Sequence, residues 1–81
     1  MSRDAEAMAH LLCLETTPFP DVESEAWAER IAAEASLVEP LIREYGLDLV
    51  RDAVSQLDGT GIDSFGDPKF REMMEDTLIP F

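Results

Sequence analysis

The placement of proline and glycine limits the fold of this chain more than any other feature. Pro18 and Pro20, Pro40, Gly46, Gly59 and Gly61, and Gly66 with Pro68 cut its 81 residues into short segments. Proline fixes φ and withdraws a backbone donor, and glycine weakens helix and strand interiors, so regular structure belongs between these points. Inside the segments apolar residues recur at helical spacing, and no period-two alternation survives for more than a few residues. The expectation is therefore all-α: a single domain over 1–81, a small compact bundle of four to five short helices with no sheet.

The first segment reads as a helix from Arg3 to Leu14, with Ser2 as candidate N-cap and Asp4 and Glu6 in the first turn. Ala5, Met8, Leu11, Leu12 and Leu14 make its stripe, and Pro18-Phe19-Pro20 stops it. Asp21 can cap a second helix through about Val38, with Trp27, Ile31 and Val38 on one face and Ala26, Ala35 and Leu37 at the margins. Pro40 suits a first helical turn, which predicts a new short helix from Pro40 to Tyr45 ended by Gly46, then another over Leu47–Leu57. A continuous helix over 40–57 is the alternative, because Ile42, Leu49, Ala53 and Leu57 keep one stripe through Gly46. Glycine after Tyr45 suits a left-handed C-cap and favours the break. Asp58–Asp67 is the longest loop. Asp67-Pro68 starts a last helix faced by Phe70, Met73, Met74 and Leu78, and the chain ends in the apolar Leu78–Phe81 tail.

Charge excludes several functions. Eighteen Asp and Glu against six Lys and Arg leave a formal net charge of −12. Six dispersed cations cannot neutralise a phosphate backbone or an anionic bilayer, so neither nucleic acid nor a membrane is expected as a direct ligand. No stretch is long and apolar enough to span a bilayer, and Met1–Glu6 lacks the basic-then-apolar order of a signal peptide. Cys13 stands alone, which excludes an intrachain disulfide; with a single His10 it cannot build an all-protein zinc site. A reducing, cytoplasmic setting is the default expectation.

Catalytic chemistry has little to draw on. No serine, cysteine or acid stands at a triad spacing from His10, and there is no glycine-rich phosphate loop. Cys13 has no cation beside it in sequence and reads as a small core residue. No enzyme, cofactor or metal is expected. Two local resemblances bear on this. With Gly61 as the obligate glycine, Asp58, Thr60 and Asp67 take the third, fifth and twelfth positions of a loop that resembles a calmodulin-type hand. Gln56 then stands at the first ligand position, Asp63 where an apolar residue belongs, and Asp67 in place of the bidentate Glu. A simple turn with Asx hydrogen bonds and two glycines accounts for the same residues. Asp63-Ser64 before Phe65 resembles the phosphopantetheine site of acyl carrier proteins, which implies a serine opening a long helix near mid-chain. Here Gly66 and Pro68 follow too closely for immediate helix growth.

Glu34 is a separate case: it falls seven residues after Trp27 and four before Val38, on the apolar side of the second helix. A buried carboxylate there needs a partner, with Arg30 the nearest cation. Burial statistics for Glu favour instead a narrower stripe with Glu34 at its edge.

The remaining acids form two rows. Glu25 and Glu29 oppose Trp27, with Glu39 further along the same side; Glu44, Asp48 and Asp52 repeat every four residues, a straight ridge if 40–57 is one helix. Four helical residues rise about 6 Å, comparable with phosphate spacing along a nucleic-acid strand. Like charges so placed repel, so either the rows are solvated faces or they meet something basic. The leading expectation is a non-enzymatic binding module that occupies a basic, nucleic-acid-binding surface of a protein partner, in the manner of nucleic-acid mimics. Phage anti-CRISPR and anti-restriction inhibitors resemble it in size and charge, with no shared motif. Glu25, Glu29, Glu39, Glu44, Asp48, Asp52, Trp27 and Phe81 are the expected contact residues. The alternative is an immunity- or antitoxin-type protein, or a structural accessory subunit. The former would neutralise a basic toxin by the same electrostatics; the latter would bind through apolar patches at Trp27, Phe19 and the tail, with Met73 and Met74 as adaptable contacts and a homodimer as one use of the patch.

Overall fold

The computed structural model describes residues 3–78, with the side chains of 77 and 78 left aside. Four helices follow one another: α1 (Arg3–Thr16), α2 (Glu25–Tyr45), α3 (Leu47–Ser55) and α4 (Pro68–Leu78). No strand occurs among the described residues. The all-α bundle expected from periodicity is what forms.

Helix α1 runs two residues beyond the expected end, because the Thr16 hydroxyl donates back to the Leu12 carbonyl at 2.9 Å and closes the last turn. Helix α2 starts later than expected, and its cap is Ser24 rather than Asp21. Ser24 Oγ accepts from Trp27 N at 3.1 Å, while Asp21 supplies only a carbonyl, which accepts from Ser24 N and Oγ.

Pro40 does not start a new helix. It lies inside α2, which is unbroken for 21 residues. An interior proline loses one backbone bond and crowds the carbonyl one turn back, at a cost of roughly 3 kcal/mol. Two features keep the helix going: Pro40 is exposed, so the defect falls on the solvent side, and Val38 and Leu41 bury fully on either side of it. Gly46 ends α2 as expected, but not in the left-handed helical C-cap conformation expected for it. Its φ of 93° and ψ of 152° lie in a region essentially closed to residues with a Cβ, and its N–H donates to Ile42 O at 2.9 Å. The continuous 40–57 helix does not form.

Helix α1 packs on α2 and α3, and α3 also packs on α2 and α4. Ala5, Ala9 and Leu12 of α1 meet Trp27, Ile31, Ala35 and Val38 of α2 and Val50, Ala53 and Val54 of α3 in one core. Small residues on α1 let the helices approach closely. Phe70 and Met74 of α4 close the other end, with Phe65 and Phe70 edge to face at 5.0 Å between centroids. Met74 is thus a core residue rather than a surface contact, and Met73 packs partly buried against it.

Candidate functional site: the anionic surface and the polar latch beneath it

The fold places its few cations first, and that decides which acids remain free. Arg30 is half-buried on α2, and its guanidinium donates to Thr16 Oγ1 at 2.8 Å, to Thr17 Oγ1, and to the Asp63 carbonyl at 3.2 Å. It ties the end of α1 and the 56–67 loop to α2, and does not pair with Glu34. Arg43 donates to Glu39 one turn back at 3.3 Å. Arg71 of α4 reaches Glu44 at 3.2 Å and lies 5.7 Å above the Tyr45 ring. The Tyr45 hydroxyl donates to Glu75 at 2.7 Å. That hydrogen bond, helped by burial and the neighbouring Glu44 and Glu75 carboxylates, raises the phenol above its ordinary value near 10 against the pull of Arg71.

Glu34 is buried, contrary to the expectation that it sits at the edge of the stripe. It is 4% exposed and compensated by dipoles instead of a cation. Ser64 Oγ lies 2.6 and 2.9 Å from its two carboxylate oxygens, and Phe65 N donates to Oε1 at 3.1 Å. Arg30 and Glu34, one turn apart, therefore grip three successive loop residues: Asp63, Ser64 and Phe65. The spacing from Trp27 marked Glu34 as unusual in sequence, but nothing local pointed to a partner 30 residues away.

The loop itself is built from its own groups. Gly59 and Gly61 take positive φ, and Thr60 Oγ1 donates to Leu57 O at 2.6 Å while accepting from Ile62 N. A threonine turn does what Asx bonds were expected to do. Among the described residues no group of three or more His, Cys, Asp or Glu is placed to hold a metal ion. Ser64 does not open a helix: α4 begins four residues later, and the Ser64 hydroxyl is committed to Glu34 and to Gly66 N.

The expected contact residues divide accordingly. Glu25 and Glu29 lie exposed on one face of α2 and make no ion pair among the described residues; Glu39 is half-buried and held by Arg43. Glu44 belongs to the end of α2 and is paired, whereas Asp48 and Asp52 stand exposed on α3 beyond the Gly46 break, so the three form no straight ridge. Trp27 is 8% exposed and belongs to the core, and Phe81 lies outside the described residues. Sequence reasoning missed a groove of about 350 Å³ between α1 and α2, lined by His10, Leu14, Val22, Trp27, Ala28 and Ile31. The signal was present in Leu14, an apolar residue on the outer flank of its helix.

Cys13 is fully buried. Burial pushes its thiol above the ordinary value near 9, Arg30 opposes this, and Glu34 adds to it. No helix among the described residues is long and apolar enough to cross a membrane. No protein-family model matches this chain, and neither a curated protein nor a solved structure matches it.

Proposed function

We propose that this protein is a non-enzymatic binding module that occupies a basic, nucleic-acid-binding surface of a protein partner in the cytoplasm and blocks or regulates it, as anti-CRISPR and anti-restriction inhibitors do. One observation carries this reading. Arg30, Arg43 and Arg71 are spent on internal contacts, while Glu25 and Glu29 stand exposed and unpaired among the described residues. A face that keeps its acids and withdraws its cations attracts a cationic surface at long range, raises the association rate and repels nucleic acid. Asp48 and Asp52 on α3 extend the anionic surface.

The apolar exposure supports a second reading, a structural accessory subunit that binds through hydrophobic contacts. Phe19 is 93% exposed between two prolines, and Val22 is 59% exposed.

Affinity capture from the native host, at low and at moderately high salt, tests the proposal. The expected result is a basic nucleic-acid-binding partner that is lost at high salt and lost again in Glu25→Lys/Glu29→Lys, with nucleic acid competing for it. Capture that is indifferent to salt and to these reversals refutes it. The Glu44→Lys/Asp48→Lys variant reports whether the second group of acids contributes, and deletion of residues 79–81 does the same for the tail.

A further inference from the structure

The groove between α1 and α2 is lined by α1, the α1–α2 connection and α2 alone; neither α3 nor α4 contributes. Among the described residues, one side of the α1–α2 pair is thus left without a covering element. Leu14 and Val22 are 49% and 59% exposed along it, with Ala28 between them and the buried Trp27 and Ile31. Two packed helices with an open apolar seam have the form that accepts a further amphipathic helix.

Its charged surroundings select the occupant. Val22 is flanked in sequence by exposed Asp21 and Glu23, and exposed Glu25 stands one turn before Ala28 on α2. On α1 exposed Glu6 stands one turn before His10; the cation on that side, Arg3, is two turns away. A second copy of the chain brings a net charge of −12 and the same acids to this rim, which sets like charges against each other. We infer that the groove docks a basic amphipathic helix of a partner protein, its apolar stripe seated on Leu14, Val22 and Ala28 and its Lys or Arg flanks facing Asp21, Glu23 and Glu25. This rests on the reading that the protein binds basic surfaces and adds where the apolar contact lies and what form the partner takes.

The probe is an 18-residue helical peptide with a leucine stripe and Lys/Arg flanks. Two controls accompany it: one with the stripe leucines replaced by serine, one with the basic flanks replaced by glutamate. The fluorescence of the lone tryptophan, Trp27, reports occupation, and amide shifts in nitrogen-labelled protein locate it. The basic amphipathic peptide is expected to shift the Trp27 emission and the amides of Leu14, Val22 and Ala28. Its affinity is expected to fall at least about tenfold for either control and for Leu14→Gln/Val22→Ser, whose changes lie at exposed positions. Equal binding of the serine peptide, with shifts on Glu29, Asp48 and Asp52, overturns the groove assignment while the broader reading of a basic partner stands. Equal binding of the glutamate-flanked peptide overturns the charge selection. A dimer by light scattering that Leu14→Gln/Val22→Ser dissolves assigns the groove to a second copy and overturns the proposal. Binding of no basic peptide overturns the groove assignment and counts against the broader reading as well.

Discussion

Replacing Glu34 with alanine removes the buried carboxyl group that holds Ser64 and Phe65 of the loop against α2. Two donors lose their acceptor: the Ser64 hydroxyl, shared between both carboxylate oxygens, and the Phe65 amide. A hydrogen bond to a charged group contributes about 1.5–3 kcal/mol net, and a buried amide left without a partner costs about 1–3 kcal/mol. Those figures overlap, and the variant no longer has to desolvate a carboxylate, which offsets part of the loss. The net destabilisation expected for Glu34→Ala is about 2–4 kcal/mol. A domain of this size has roughly 4–12 kcal/mol in total, so the change is large. With a urea slope near 1 kcal/mol/M, the midpoint followed by far-ultraviolet circular dichroism falls by about 2–4 M. Glu34→Gln keeps an oxygen for Phe65 N and offers its amide to Ser64 Oγ, so it loses only about 1 kcal/mol. In a double-mutant cycle with Ser64→Ala, the coupling between the two sites is about 1–2 kcal/mol. A Glu34→Ala variant within about 0.5 kcal/mol of the parent, or a cycle with no coupling, refutes the latch.

Other expectations follow from the same structure. The phenol of the single Tyr45, followed by its absorbance near 295 nm, titrates above its ordinary value near 10 because its hydroxyl donates to Glu75. A folded-state value raised in this way adds stability that is complete below the unfolded value and lost as pH climbs through the folded one; Tyr45→Phe removes this alkaline loss. Cys13 is expected to resist thiol reagents at pH 8 in the native state and to react at the rate of global unfolding; rapid labelling without unfolding shows that its burial is not maintained. Gly46→Ala meets nothing within 4 Å of the added Cβ, so its cost is backbone strain alone, about 1–3 kcal/mol by denaturation. Pro40→Ala acts in the opposite direction, restoring a backbone donor inside α2 and raising stability by roughly 1–3 kcal/mol.

Pro40 and Gly46 show where reading the chain succeeds and where it stops. Both interrupt helices by local chemistry: Pro40 is expected to open a new helix and Gly46 to end one. Gly46 does so because its φ of 93° is a property of the backbone at that residue, available to glycine whatever surrounds it. Pro40 does not, because whether a proline breaks a helix depends on what the flanking turns bury, and Val38 and Leu41 are held by α1 and the rest of the core. The Ser24 cap is of the local kind: its bond to Trp27 N spans three residues, and Asp21 competed only by its similar propensity.

The site divides in the same way. Period and punctuation determined the all-α class and the helix faces, since an amphipathic stripe has to be buried wherever it packs. Composition determined the excess of acids and the net charge of −12. Sequence could not show which acids remain available, because that depends on where six cations go. Arg30 passes over Glu34 for two hydroxyls and a carbonyl, and Arg71 crosses from α4 to neutralise Glu44 on α2. Glu34 was visible as a carboxylate on an apolar face, yet its burial required Ser64 and Phe65 to arrive from 30 and 31 residues away with donors aimed at it. The open seam beside Leu14 and Val22 likewise exists only because α3 and α4 pack elsewhere. Local chemistry acts within a turn or two of chain, whereas charge compensation and surface coverage depend on neighbours that only the folded arrangement supplies.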